Sequence, residues 1–137
     1  MDVGDGVLAG GSPCPAPGFW LPPTVLTDLD GEMSLTREEI FGPVLCVHVV
    51  DGPEKGLDGA NETEFGLGAS VWTADRERGE EIAARIQAGM VGINKGLGGV
   101  GDSPWVGARQ SGFGYMGSMD GIRHFTQVRT ITRPLED

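Results

Sequence analysis

EEIFGPVLCVHVV, at residues 38–50, joins a constrained turn to an almost unbroken apolar run. Pro43 fixes its own φ and moves Gly42 out of the helical region, so the side chains of Glu39 and Phe41 can be held toward a ligand. The four valines that follow are β-branched, and this composition predicts a strand over residues 44–50 that is covered on both faces. Open α/β sheets hold ligands at the ends of their strands. The stretch therefore predicts an α/β fold with binding groups beside this strand.

The turn also carries a resemblance to a known family. EEIFGPVLCV resembles the EE-x-FGP-V signature of the NAD(P)-dependent aldehyde dehydrogenases. In that family the second acid hydrogen-bonds the ribose next to the nicotinamide, and the aromatic side chain packs near the nicotinamide ring. The resemblance therefore implies NAD or NADP as cofactor, bound by Glu39 and Phe41. The alternative interpretation is a solvated acidic pair before an ordinary strand.

A second motif lies in the glycine-rich part of the chain. SPWVGARQSGFGYMG, at residues 103–117, resembles the family's S-P-F-G-G-x-K-x-S-G-x-G-R-E-x-G. The aromatic of that motif walls the aldehyde pocket, so the resemblance implies that Trp105 contacts the substrate; the alternative is a buried aromatic that anchors the loop. The chain departs from the motif at several positions, among them Trp105 for Phe, Val106 for Gly, Arg109 for Lys, and Tyr115-Met116 for Arg-Glu. The loss of the Arg-Glu pair puts in doubt the ionic contacts that this segment makes in the family.

Other matches extend the resemblance over nearly the whole chain. NETEFGLGASVWT, at residues 61–73, resembles the family's AN-x-T-x-YGL-x-A-x-V-x-T, with Phe65 in place of Tyr. Asn94 also stands at a family position, where we expect it to hold the geometry of the loop that follows. The matches correspond only to the C-terminal part of an aldehyde dehydrogenase.

The resemblance implies a fold class and a domain arrangement. The fold is expected to be α/β, as the C-terminal part of an aldehyde dehydrogenase catalytic domain, with a parallel sheet and flanking helices, and to end in an oligomerisation strand. Residues 1–115 are expected to belong to the catalytic domain. Residues 116–137 are expected to form a terminal helix and the oligomerisation strand.

Local patterns predict the individual elements. The clearest helix begins after Asp75, a good N-cap, and is expected to run to Ala88 before Gly89. It lies between two strand candidates, and the short links predict a right-handed crossover with parallel pairing. The remaining predictions are a strand at 24–26, a short helix at 53–61, a loop at 96–117, a helix at 118–128 and a strand at 129–132.

Composition narrows the class of partner. The chain has 137 residues, with 10 basic and 20 acidic side chains and a net charge of −10. Nucleic acids and anionic membranes attract basic surfaces, so neither is expected as a partner. The sequence has neither a spanning apolar run nor the pattern of a signal peptide in residues 1–20, which makes the cytoplasm the expected location.

Several other kinds of site are disfavoured. Two G-x-G-x-x-G matches each lack one of the elements that a phosphate cradle needs: the match beginning at Gly96 has no helix after it, and the match beginning at Gly112 has no strand before it. Residues 28–32 lack two features of a calcium loop, the third acid before the glycine and the bidentate glutamate at the twelfth position, and predict a turn. His48 is expected in the core and His124 at the surface or an interface, and no histidine or cysteine has the spacing of a metal site. Two cysteines, 14 and 46, do not indicate a disulfide-built fold, although their pairing stays open.

The function implied by the resemblance is aldehyde oxidation. The complete enzyme would oxidise an aldehyde to a carboxylic acid through a thiohemiacetal on cysteine, with NAD(P) as hydride acceptor. Neither Cys14 nor Cys46 lies at the nucleophile position, and no Glu-Leu-Gly-Gly segment supplies the base. We therefore expect a family fragment that is inactive alone, with aldehyde as substrate only in the complete enzyme.

Association is the expected behaviour of such a fragment. It would form a homo-oligomer or bind the missing portion. Alone it would be marginally stable, because a parallel sheet without its neighbouring strands has unpaired strand edges. Two other interpretations compete with it. One is a non-catalytic remnant that self-associates or docks onto a full-length relative, and the other is an autonomous nucleotide-binding module.

Overall fold

The computed structural model of the chain describes residues 6–12, 14–98 and 101–135. Short helices and short strands are mixed along the chain, which confirms the predicted α/β class. The chain forms two compact units, Met1–Gly56 and Leu57–Asp137. The division expected at residue 115 from the family resemblance stays a prediction.

The first unit contains a three-stranded sheet and a short helix. The strands are β1 (Val7–Ala9), β2 (Thr24–Leu26) and β3 (Val44–Cys46), in the order β1-β2-β3, and the helix is α1 (Ser34–Arg37). β2 lies antiparallel to β1 and parallel to β3. The central strand is the most buried, and the hydroxyl of Thr24 is satisfied there because it donates to the Pro22 carbonyl over 2.9 Å and accepts from the Gly11 amide over 3.1 Å.

The prediction for the valine-rich strand is wrong in length and in burial. β3 ends at Cys46 instead of Val50, and Val49 is 91% exposed. Within the part of the chain that the structure describes, β3 pairs on one side only, with β2. Its outer edge and the segment after it therefore lack the cover that an apolar run of this kind needs. His48, predicted in the core, is exposed for the same reason.

The second unit contains the predicted parallel pair. β5 (Gly68–Val71) and β6 (Met90–Ile93) run parallel, and α3 (Arg76–Ala83) lies between them in the chain. α3 begins at the predicted cap, where the Asp75 carboxylate accepts from the Arg78 amide over 3.0 Å. The helix is shorter than predicted, because the amides of residues 85 and 86 donate to carbonyls three residues back and tighten its end.

The helix α2 (Pro53–Asn61) confirms the short helix predicted there. The glycine-rich segment is not the plain loop that was predicted. It holds β7 (Trp105–Val106), β8 (Ala108–Arg109) and β9 (Tyr115–Met116). β7 pairs antiparallel with β9, and β8 pairs antiparallel with β4 (Phe65–Gly66). These two-residue bridges organise the loop.

The end of the chain differs most from its prediction. α4 (Met119–Arg123) begins at the cap Ser118 but stops five residues before the predicted end at 128. The strand predicted at 129–132 is wrong, since residues 127–135 have no regular secondary structure and Ile131 is 82% exposed. A strand needs a partner, and no described residue pairs with this segment. None of the helices in the described ranges is long and apolar enough to cross a membrane.

Candidate functional site

The turn at residues 39–44 holds two candidate ligand-binding side chains. The amide of Gly42 donates to the Ile40 carbonyl over 2.9 Å, and the amide of Val44 donates to the Gly42 carbonyl over 2.8 Å. The Pro43 carbonyl accepts from the amide of Thr24 in β2 over 2.8 Å, which ties the turn to the sheet. The backbone between Glu39 and β3 is therefore fixed by hydrogen bonds within its own unit.

Both candidate side chains are presented to solvent from this fixed backbone. Glu39 is exposed, and Phe41 is 94% exposed. Burying a phenylalanine stabilises a protein by about 2 kcal/mol, so an aromatic ring held in solvent by a rigid turn forgoes that contribution. The arrangement suits a ligand that offers an aromatic face to Phe41 and hydrogen-bond donors to the Glu39 carboxylate.

The third candidate, Trp105, lies in the second unit on a loop closed at its base. We call residues 102–119 the Trp105 loop. The Asp102 carboxylate accepts from the Met119 amide over 2.8 Å, and the β7–β9 pair lies just inside this closure. Trp105 is 39% exposed, so the alternative of a buried anchor does not describe it. Neither the Asp102 closure nor the β7–β9 pair was predicted, since two-residue bridges have no sequence period.

Asn94 connects the ends of the parallel pair. Its side-chain oxygen accepts from the Thr73 amide and its side-chain nitrogen donates to the Thr73 carbonyl, both over 2.8 Å. These two hydrogen bonds thus extend the pairing of β5 and β6 one step beyond Val71 and Ile93. Asn94 therefore caps the ends of the two strands, which was the alternative interpretation of this residue, and its role in the geometry of the loop that follows stays a prediction.

A groove of about 340 Å³ lies between β6 and the Trp105 loop. Its described lining is mostly glycine and apolar, with Lys95 as the ionisable side chain, and the Lys95 ammonium donates to the Gly98 carbonyl over 3.3 Å. Pro104 and Val106, which flank Trp105, belong to the lining. The groove therefore offers shape and apolar surface rather than acid–base chemistry.

The candidate side chains are divided between the two units. Glu39 and Phe41 share one turn in the first unit, and Trp105 lies in the second.

Both cysteines are free, and the Cys46 thiol lies 3.6 Å from the Leu35 carbonyl, half-buried. Among the described residues no group of three or more His, Cys, Asp and Glu side chains could hold a metal ion. The predicted turn near Asp28 is confirmed, with the Glu32 amide donating to the Asp30 carboxylate over 3.0 Å.

Comparison with known proteins shows which family the chain is similar to. Residues 2–131 match the aldehyde dehydrogenase family. The chain is 38% identical over 120 residues to aminoaldehyde dehydrogenase 2 of Malus domestica, a protein named as peroxisomal, and the match covers 88% of the chain and 24% of the relative. The chain thus spans about a quarter of the length of the curated relatives it matches.

Solved structures agree with the sequence match. Succinic semialdehyde dehydrogenase of Streptococcus pyogenes, in complex with NADP+, superposes with a TM-score of 0.88 at 30% identity, over 95% of this chain and 29% of that one. Mycobacterium tuberculosis aldehyde dehydrogenase, complexed with NAD+, superposes with a TM-score of 0.80 at 38% identity, over 88% of this chain and 25% of that one.

Proposed function

The chain belongs to the aldehyde dehydrogenase family, and we propose that it forms the C-terminal part of an enzyme that oxidises an aldehyde to a carboxylic acid with NAD or NADP. The observation that carries the proposal is the hydrogen-bonded turn that presents Glu39 and Phe41 to solvent within the family's signature. Both cofactors occur in solved structures that resemble this chain.

The exposed groups of the turn fit a nicotinamide nucleoside. The Glu39 carboxylate would accept hydrogen bonds from the ribose hydroxyls, and the Phe41 ring would cover one face of the nicotinamide. A bound nicotinamide cofactor would supply the hydride acceptor. Trp105 would wall the pocket for the aldehyde and exclude water beside the reacting carbon.

The nucleophile and the base would come from the rest of the family's length. Cys14 lies exposed in a proline-rich loop, and the Cys46 thiol lies against the Leu35 carbonyl. Among the described residues, neither cysteine has a histidine or a basic side chain as a hydrogen-bond partner, whereas an activated thiolate needs such a neighbour. We accordingly propose that the isolated chain does not oxidise aldehydes and acts only with the complementary part.

A chimeric enzyme tests the proposal. The matching segment of the Malus aminoaldehyde dehydrogenase is replaced by the corresponding residues of this chain, and formation of the reduced cofactor is followed with an aminoaldehyde. We expect activity, and we expect Glu39→Gln to raise the KM for the cofactor by roughly tenfold to a hundredfold, as for the loss of a charge-assisted hydrogen bond. The neighbouring variant Glu38→Gln is the matched control. Equal effects of the two variants would show that Glu39 does not bind the cofactor.

Trp105 supports a more specific substrate class. Indole faces attract cationic groups, and the net charge of −10 adds a field that concentrates cations. The Malus relative is named for aminoaldehydes, whereas the Streptococcus relative is named for succinic semialdehyde, which carries a carboxylate. We infer a preference for aldehydes with a cationic group at the far end.

The preference is measured as a ratio of kcat/KM values in the chimera, for an aminoaldehyde against succinic semialdehyde. Trp105→Leu removes the π face and is expected to lower this ratio about tenfold, while Trp105→Phe retains most of it. A ratio that is the same for the Leu and Phe variants would refute the cationic preference and leave the oxidation of aldehydes untouched.

Self-association is the second candidate function, as an oligomerisation segment or as a non-catalytic remnant that docks onto a relative. The tail at residues 124–135 supports it, because four large apolar side chains stand largely exposed there outside any helix or strand, among them the three residues Phe125, Val128 and Ile131. We propose that a second copy covers this tail. Light scattering with size exclusion is expected to show an oligomer, and replacement of the three residues by serine to shift it toward monomer. A wild-type monomer at micromolar concentration would refute this candidate.

Cofactor binding and location complete the proposal. The chain alone is expected to show no saturable binding of NAD or NADP at millimolar concentration, and saturation would instead favour an autonomous nucleotide-binding module. The proposed location is the cytoplasm, although the Malus relative is named as peroxisomal. Microscopy of the tagged chain in its own cells decides between these compartments.

A further inference from the structure

Arg109 has a backbone conformation that is unusual for its residue type. Its φ is +55°, in the left-handed region. The other two non-glycine residues with positive φ in the described chain are Asp28 and Asn94, whose short polar side chains tolerate this region. This conformation is strained for an arginine, so the surrounding contacts must fix it.

The side chain of Arg109 supplies one of these contacts. Its guanidinium Nη1 donates to the backbone carbonyl of Asn61 over 3.0 Å, in a partly buried position. Asn61 is itself held, because its side chain accepts from the Gln87 amide over 2.9 Å and donates to the Arg85 carbonyl over 3.1 Å. The end of α2, the segment after α3 and the tip of the Trp105 loop therefore meet at Asn61.

Backbone contacts continue from this point along the loop. The Gln110 amide donates to the Glu64 carbonyl over 3.0 Å, and the Gly66 amide donates to the Ser111 hydroxyl over 3.0 Å. The first bond continues the β4–β8 register one step beyond Phe65 and Arg109, and the second bond starts from Gly66, which is itself a residue of β4. The tip of the loop is thus attached to residues 61–66 through two of its side chains, those of Arg109 and Ser111, and through several backbone groups.

The same attachment reaches the residue next to Trp105. The amide of Gly89 donates to the carbonyl of Gly66 over 2.9 Å. On its other side Gly89 packs so closely on Val106 that a Cβ at residue 89 would lie 2.2 Å from the Val106 carbonyl oxygen. A shift of the Asn61–Arg109 contact would therefore displace Val106, and with it the neighbouring Trp105.

We propose that Arg109 is a positioning residue, which holds the Trp105 loop on Asn61 and thereby sets the place of the aromatic wall in the aldehyde pocket. The attachment is a property of the chain, whereas its effect on aldehydes rests on the proposed function. Lysine, the residue of the family motif at this position, keeps a donor on a flexible stem and is expected to preserve much of the contact.

Amide hydrogen exchange on the complete chain tests the attachment. Arg109→Met keeps an apolar stem without a donor, and it is expected to speed exchange at the amides of Gln110 and Gly66 by about tenfold or more. Arg109→Lys is expected to restore slow exchange. The matched control is Arg123→Ala, which removes an exposed guanidinium paired with Asp120 at 3.1 Å. Exchange in Arg109→Met equal to that of the control would overturn the proposal.

The position of Trp105 is read from its indole N–H resonance, which Trp105→Phe identifies among the three tryptophans of the chain. We expect the resonance to move in Arg109→Met and to return in Arg109→Lys. An indole signal that is unchanged while the amides exchange faster would overturn the positioning role. If Arg109→Met does not fold, Arg109→Gln, which keeps a donor without the charge, serves with the same two readouts.

Kinetics in the chimeric enzyme separate this proposal from the proposed function. Arg109→Met is expected to raise the KM for the aldehyde several-fold while leaving the KM for the cofactor unchanged, and Arg109→Lys is expected to restore the aldehyde KM. An equal rise in both constants would overturn the positioning role. A chimera without any aldehyde oxidation would refute the proposed function, and the exchange and indole measurements would still decide the role of Arg109.

Discussion

Substitution of Asn94 by alanine is expected to open the end of the parallel β5–β6 pair. Its amide side chain makes two hydrogen bonds of 2.8 Å to the backbone of Thr73, and its own φ is +52°. Alanine removes both bonds and leaves a β-carbon in the left-handed region. Glycine removes the same bonds but accepts the backbone conformation without strain. The two variants therefore separate the side-chain contribution from the backbone contribution.

The magnitudes follow from these two contributions. Two exposed side-chain hydrogen bonds contribute roughly 1 kcal/mol together, which is the whole expected loss for Asn94→Gly. The left-handed conformation adds about 1 kcal/mol for alanine, so Asn94→Ala is expected to lose roughly 2 kcal/mol of local stability. Local opening should then become about fivefold more frequent with glycine and about thirtyfold with alanine.

Hydrogen exchange at the amide of residue 94 measures this opening, because that amide donates to the Val71 carbonyl over 2.8 Å and keeps this partner in both variants. Rates are corrected for the intrinsic exchange of the new residue. Lys95→Ala, in the adjacent position, is the control. Alanine and glycine rates that match the control would show that the side chain does not hold the strand ends. Equal acceleration in the two variants would show that the backbone conformation costs nothing.

Three further substitutions give separate expectations. Gly89→Ala places a Cβ 2.2 Å from the Val106 carbonyl oxygen and is expected to abolish soluble expression, whereas Gly96→Ala, with nothing within 4 Å, is expected to express normally. Leu57→Ala removes most of a side chain that is only 5% exposed and should lower the free energy of unfolding by about 2–5 kcal/mol, seen as a lower urea midpoint. A shift smaller than a tenth of the wild-type midpoint would contradict this expectation. Ser118→Ala removes the cap of α4 and should cost about 1 kcal/mol, measured as faster amide exchange in that helix, and unchanged exchange would refute it.

Features set by neighbouring residues were predictable from the sequence. Asp75 caps α3 as expected, because its carboxylate needs only the amide three residues on. The parallel pairing of β5 and β6 follows from their short links to α3. The turn at Gly42 and Pro43 was also predicted, since proline restricts both residues whatever surrounds them. The roles of Glu39, Phe41 and Trp105 came from resemblance and stay predictions.

Features that depend on distant partners were not predictable. Strand length after β3 and at residues 129–132 depends on a neighbouring strand, and the apolar pattern alone does not say whether one is present. The contact between Arg109 and Asn61 joins residues 48 positions apart, and no local sequence pattern predicts it. The one sequence signal was the arginine in place of the family's lysine, whose meaning becomes clear only with the positive φ.

The closure of the Trp105 loop has a consequence for how such enzymes diversify. Residues 102 and 119 meet through a single hydrogen bond from a carboxylate to a backbone amide, so the segment between them leaves and re-enters the unit at one place. An exchange of this segment between relatives would carry Trp105 and its neighbours along together and would leave the register of β5 and β6 unaltered. Recombination at these two positions is thus a short route by which one member of the family acquires the whole loop of another.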